Sequence, residues 1–184
     1  LEFGKKVAVI DLNSQSLIKM IEANGATQQM RVDKQNNIWV STVSTFSDPT
    51  DEANVGISVI DTQSDAVKDF ISVKGIGEDG YIEWNKDTTM LYVMAKESYP
   101  GVKGQIISIT IEGKKVSSPI IEGDNYYGFG FNKATDKMYV LISANPVKEG
   151  VLKVYSKEGV LENESTTGIS PQQVFFKVYF ENAK

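Results

Sequence analysis

An all-β fold of repeated four-stranded antiparallel sheets, the blades of a β-propeller, is what this sequence predicts, on three observations. Val9-Ile10-Asp11, within VAVID, returns 50 residues later as Val59-Ile60-Asp61 within GISVIDTQSD. Each copy belongs to a larger unit with anchors at similar spacing, 53 residues from Trp39 to Tyr92 and 47 from Tyr92 to Tyr139. Apolar residues alternate with period two, as at Met30 and Val32, Ile82 and Trp84, and Phe129 and Phe131, where a helical repeat would need a 3.6-residue stripe. A period of ~40 to 50 residues with four strands in it is what a propeller blade needs.

The elements follow in order, with strands lettered A to D from the central channel outward. Lys6 to Asp11 and Leu17 to Glu22 read as the C and D strands of a partial blade over 5–22. A blade over 26–74 contains TQQMRVD, NIWVS, GISVID and VKDFISV. The next, over 79–121, contains GYIEWN, MLYVM, QIISIT and an outer strand at Lys115 to Ile121. The third, over 126–166, runs through YGFGFN, MYVL, VLKVY and Val160 to Ser165. Finally Ser170 to Phe176, within a closing strand at 170–180, matches the first A strand: Gln172 and Gln173 repeat Gln28 and Gln29, while Val174 and Phe176 repeat Met30 and Val32. The β-branched and aromatic enrichment of these runs agrees with strands.

Composition removes several function classes. The formal charge of −5 and the lack of clustered Lys and Arg oppose a nucleic acid or anionic membrane partner. With no cysteine and no histidine, thiol catalysis, disulfides, Ser-His-Asp triads and zinc or haem ligation by these groups are excluded. No apolar run reaches the ~18 residues of a membrane-spanning helix. No cofactor is expected. The opening Leu1-Glu2-Phe3-Gly4 lacks a methionine, which predicts that an upstream segment has been removed.

A strands ending in Asp or Asn, B strands reading IWV, LYV or MYV, and C strands ending in VID resemble the YVTN-type propeller repeat. More narrowly, the chain resembles the YncE-like surface lipoprotein propellers that carry the DUF5074 domain, a likeness covering nearly all 184 residues. That resemblance implies a seven-bladed ring closed by the last strand. At ~47 residues per blade such a ring needs on the order of 330 residues. The chain would then be about half of it, three complete blades plus parts of a fourth, completed by a missing N-terminal half; a small fold closing by itself or through a second copy is the alternative. The resemblance also implies a lipid anchor, a place on the cell surface or outer membrane, and a corrinoid (cobalamin) ligand passed to an outer-membrane transporter.

Loop lengths separate the two ends of the blades. The A–B and C–D turns are tight, whereas the B–C loops are long: Ser44 to Val55, Lys96 to Gly104 and Ser143 to Gly150, each with a proline. The D–A loops, Gly75 to Tyr81, Glu122 to Tyr127 and Gly168 to Gln172, share that face. Long loops on a rigid scaffold are where binding usually resides. The candidate ligand surface is therefore Phe46, Tyr81, Tyr99 and Tyr126 with Asp79, Asp124, Asn125, Asn145 and Gln172. Aromatic faces with fixed polar groups suit a large planar or sugar-like ligand.

Other clusters point to structure rather than chemistry. Asp48, Asp51, Glu52 and Asn54 offer oxygen ligands without EF-hand spacing. Glu83, on a channel-lining strand, reads as structural, and Trp39 and Trp84 read as blade core. The triplet Asn163-Glu164-Ser165 fits a glycosylation acceptor, a frequent chance match. The function expected is a non-enzymatic binding module. A protein- or glycan-binding module is the first alternative. A carboxylate-based hydrolase or lyase is the second, and it would need two acids converging on the channel.

Overall fold

The structure, a computed structural model, describes residues 4–44, 52–97 and 102–177. Three four-stranded antiparallel sheets follow one another along the chain, preceded by a hairpin of β1 (Lys6–Asp11) and β2 (Ser16–Glu22). The first sheet contains β3 (Ala26–Val32), β4 (Ile38–Val43), β5 (Gly56–Asp61) and β6 (Ala66–Ser72). β7 (Glu78–Trp84), β8 (Met90–Lys96), β9 (Lys103–Thr110) and β10 (Ile121–Asp124) form the second. The third holds β11 (Tyr126–Asn132), β12 (Lys137–Ile142), β13 (Glu149–Ser156) and β14 (Leu161–Ile169). Each sheet is a simple meander, because every strand pairs with its neighbour in sequence.

The tight turns explain the repeated acids. Asp11 Oδ1 accepts hydrogen bonds from the amides of Asn13 and Ser14 at 2.9 and 2.7 Å, and Asp61 Oδ1 does the same for Gln63 and Ser64 at 2.8 and 3.0 Å. The Asp of each VID motif is thus the residue that closes the C–D turn. At the A–B turn Asp33 goes further. Its carboxylate accepts from the amides of Gln35 and Asn37, from Asn37 Nδ2 and from Trp39 Nε1, at 2.8 to 2.9 Å, while the residue is only 6% exposed.

Burial alone would push the Asp33 carboxyl up, but the bonds from Asn37, Trp39 and Gln35 outweigh it and hold it below the ordinary aspartate value. A carboxyl depressed in the folded state contributes stability that is complete above its unfolded pKa, roughly 3.9, and lost as pH falls through the folded value. Asp33→Asn is therefore expected to lower stability at neutral pH and to flatten the acid limb below about pH 4. Denaturant midpoints measured across pH read this directly; parallel curves for variant and wild type would contradict it.

The core lies between sheets, and the middle strands serve two interfaces at once. Along β8, Leu91, Val93 and Ala95 join the core shared with the first sheet, while Tyr92 and Met94 join the core shared with the third. This is why the B strands are near-continuous apolar runs, since both faces are covered. One ring pair recurs at each interface. Trp39 packs edge-on against Trp84 with centroids 5.3 Å apart, Tyr92 stacks on Phe131 at 4.7 Å, and Tyr139 meets Phe176 edge-on at 4.9 Å. In every case the B-strand aromatic of one sheet meets an aromatic near the end of the inner segment that follows. Phe176 occupies that place although 170–176 forms no assigned strand, so the terminal segment lies where the inner strand of a following sheet would lie.

The other end leaves the equivalent position uncovered. Ile82 and Phe129 are 0% and 4% exposed, whereas Met30 and Val32 on β3 are 50% and 55% exposed. The β1–β2 hairpin packs Val7 and Ile21 against Val40 and Ile60, and Gly4 just before it accepts from Thr27 at the start of β3, yet Met30 and Val32 stay open.

Besides the closing segment, expected as a strand and carrying no assigned ladder over 170–177, two elements differ from the sequence expectation. The outer strand expected at Lys115 to Ile121 is displaced to Ile121–Asp124. Pro119 has no amide to donate, and upstream of it Val116 makes only an isolated bridge to Ile109 while Ser117 Oγ accepts from the Ser108 amide at 2.9 Å. The loop expected at Glu122 to Tyr127 is a one-residue reversal. Asn125 adopts φ 57°, a left-handed conformation that Asn tolerates, and its amide donates to Val102 O at 2.7 Å.

Candidate functional site

The inner strands share an irregularity at one level. The ladder of β3 with β4 shifts register between Thr27 and Met30, that of β7 with β8 between Glu78 and Tyr81, and that of β11 with β12 between Tyr126 and Gly128. Residues 28–29, 79–80 and 127 therefore leave regular pairing at equivalent positions of successive repeats. A bulge re-aims side chains and recurs beside functional sites. Here the three bulges, together with the terminal segment, enclose a cavity of about 320 Å³ lined by Gln28, Gln29, Gly80, Tyr81, Tyr127, Gln172 and Gln173.

Local hydrogen bonds hold these walls. Ser41 Oγ donates to Gly80 O at 2.5 Å, and the Gln29 amide donates to Ser41 Oγ at 3.0 Å. Gln29 Oε1 accepts from the Ile82 amide at 3.2 Å, tying β3 to β7. Gln28 Nε2 is buried and has no acceptor among the described residues. Lys96 Nζ lies 5.6 Å from the centre of the Tyr127 ring, within cation–π range. Further down the same strands Arg31 and Glu83 form a two-point ion pair, with Arg31 Nε donating to Glu83 Oε2 at 3.2 Å and Nη2 to Oε1. Glu83 is thus matched by a partner on the neighbouring inner strand.

The nine residues expected on the ligand face separate into distinct groups. Tyr81 and Gln172 come together in the axial cavity. The backbone of Asp79 falls in the β7 bulge. Tyr126 is a correction: it is 1% exposed, inside the core between the second and third sheets, with Gly104 and Gly123 against its ring. Its phenol is raised above the ordinary tyrosine value, chiefly by burial. Asp124 is ion-paired with Lys103 at 2.8 Å, which raises the Lys103 ammonium above its usual range. Asn125 forms the one-residue turn, and Asn145 shapes its own loop, Oδ1 accepting from the Val147 amide at 2.9 Å. Phe46 and Tyr99 lie outside the described residues, as do Asp48 and Asp51.

Four cavity residues escape the sequence argument: Gln28, Gln29, Tyr127 and Gln173. The signal was present in the repeated Gln-Gln pair, which serves there only to align strands. A second cleft of about 590 Å³ on the same rim is bordered by Glu97, Lys103, Glu122 and Asp124. Among the described residues no group of His, Cys, Asp or Glu is placed to hold a metal ion.

No protein-family model matches the chain, and no curated protein sequence matches it. Solved structures do. Hydrazine synthase of Kuenenia stuttgartiensis superposes with a TM-score of 0.66 at 14% identity, over 89% of this chain and 48% of that one. The β-propeller domain of the Trilobed protease from Pyrococcus furiosus, described as having an open velcro topology, gives 0.53 at 15% identity over 90% and 49%. The chain is a β-propeller. Dihydro-heme d1 dehydrogenase NirN superposes at 0.61 with 14% identity, over 90% of this chain and 34% of that one. The propeller described here therefore spans half or less of each of these chains, and at such identities the likeness concerns fold alone. Its axial cavity lies where successive blades converge on the channel, open to the face that carries the long loops.

Proposed function

We propose that this propeller is a non-enzymatic binding module whose ligand enters the channel at the bulged ends of the inner strands. The observation that carries the proposal is the shared bulge: three repeats break their ladders at one level, and the residues released there line a single polar cavity. Register shifts also recur between the outer strands, at Val9/Ile10, Val59/Ile60 and Val154/Tyr155, so what distinguishes the inner-strand bulges is that the residues released there line one cavity.

For the ligand we follow the resemblance to the DUF5074 surface lipoproteins and propose a corrinoid, captured at the bacterial cell surface and passed to an outer-membrane transporter. The chemistry of the cavity supports this choice. A corrin ring carries carboxamide arms around its rim, and the cavity presents side-chain amides and phenols. Its volume accommodates an edge of such a ligand rather than the whole, so the rest would lie across the loop face. The uncovered strip of Met30 and Val32 supports completion of the ring by further blades, from the same polypeptide or a second copy.

Calorimetric titration with cyanocobalamin tests the ligand. Saturable heat at micromolar concentration is the expected result, and its absence removes the corrinoid.

A further inference from the structure

We infer that the axial cavity is a subsite for an uncharged primary carboxamide. The inference rests on the axial mouth being the ligand site, and it adds the chemistry that the mouth selects. Four of the seven described lining residues are glutamines, two are tyrosines and one is glycine, so no lining side chain among the described residues carries a charge. Among the described lining residues a carboxylate entering there would meet no counter-charge, Lys96 being engaged over the Tyr127 ring at 5.6 Å, and an ammonium group would meet no acid. Arg31 and Glu83, the charged pair on the same strands, neutralise each other.

Gln28 sharpens the choice. Its buried nitrogen has no acceptor among the described residues, and an unmatched buried donor of this kind costs on the order of 1–3 kcal/mol. That nitrogen has no surface open to water in the observed conformation, so an incoming carbonyl oxygen meets it only once the Gln28 amide turns about its last torsion, a turn that equally lets Oε1 meet the ligand. A primary carboxamide carries an acceptor and a two-proton donor in one plane, so it pairs with a glutamine amide at two points. Neighbouring glutamines at 28–29 and 172–173 line the cavity from two segments, and both therefore offer such a partner. The phenols of Tyr81 and Tyr127 add apolar ring surface for the carbon that bears the amide.

The test uses propionamide and propionate, two probes of nearly equal shape that differ in charge. Both are titrated at millimolar concentration into the whole 184-residue chain, with glutamine side-chain amides followed by nitrogen-15 NMR. Propionamide is expected to move the Gln28 side-chain signals saturably, and propionate to bind at least about tenfold more weakly, a gap of about 1.4 kcal/mol. Gln28→Leu should remove the shifts that propionamide causes in the side-chain signals of Gln29, Gln172 and Gln173, while leaving the backbone spectrum of the blades in place. Gln172→Ala, at an exposed position, should weaken it without any risk to folding. Equal responses to the two probes, no response to propionamide, or a response indifferent to both variants would overturn the inference. Cyanocobalamin binding with propionamide inert would reject the carboxamide subsite and leave the ligand standing. The converse result would reject the corrinoid and keep the subsite.

Discussion

Trp39→Ala is expected to lower stability by about 3–5 kcal/mol, a large part of the ~5–15 kcal/mol typical of a folded domain. Three losses add up at this position. The indole is 1% exposed, so its removal leaves a cavity between the first and second sheets. The edge-on contact with Trp84 disappears. Asp33 also loses the donor that Trp39 Nε1 supplies at 2.9 Å, in a carboxylate that is almost fully buried. Trp39→Phe narrows the attribution, because it keeps an aromatic ring while removing the donor and the smaller ring of the indole; about 1–3 kcal/mol is expected from that change. At the equivalent position in the third sheet, Tyr139→Ala should cost less, since its partner Phe176 is 37% exposed. Denaturant midpoints rank the three variants. A loss below about 1 kcal/mol for Trp39→Ala would contradict an inter-sheet core organised by this ring pair.

Gly128→Ala is expected to release the terminal segment while leaving the three blades folded. A methyl group at Gly128 would stand 2.1 Å from the carbonyl oxygen of Gln172 and 3.0 Å from Leu141 Cδ1. Overlap with a backbone atom cannot be relieved by a side-chain rotation, so either β11 or the segment must move. β11 is paired with β12 along its length, whereas 170–176 has no assigned ladder, and the segment is the cheaper element to displace. Amide exchange of residues 172–177 should then accelerate by at least about tenfold, with the exchange of β8 and β12 unchanged. Because Gln172 and Gln173 leave with the segment, ligand affinity should fall in parallel. Gly168→Ala is the control, as a methyl there meets nothing within 4 Å. Unaltered exchange in Gly128→Ala would show that the segment does not lie against β11.

These expectations show which features the sequence carried and which it could not. Strand identity was legible because it rests on period-two patterning over whole segments, and the B strands were plain because both of their faces are buried. The turn acids were legible too, since an Asp at the end of a strand has one strong local use. Position within a strand was harder to read. The neighbouring pair Tyr126 and Tyr127 illustrates this: one lies in the core and the other lines the cavity, and the bulge between Tyr126 and Gly128 sets which is which. A displacement of one residue exchanges the two faces of a strand, and nothing in the residue types announces where it occurs. Loop length misled for a related reason. Polar residues at Glu122 to Tyr127 look like a loop, yet a single left-handed Asn125 completes the reversal. Asp124, Asn125 and Asn145 were expected to be ligand groups because polar residues at a rim resemble binding residues; in the structure Asp124 pairs with Lys103, Asn145 Oδ1 serves its own loop, and Asn125 serves the turn through its backbone.

The axial mouth and the acidic rim therefore make opposite predictions for ligand affinity. Parallel calorimetric titration of cyanocobalamin into the wild type, Tyr81→Phe with Gln172→Ala, and Asp124→Ala with Asn145→Ala measures the difference. Binding through the axial mouth predicts at least a tenfold loss, about 1.4 kcal/mol, in the Tyr81 and Gln172 variant, with wild-type affinity retained in the rim variant. Full affinity in the axial variant, with the loss appearing in the rim variant instead, would contradict the account.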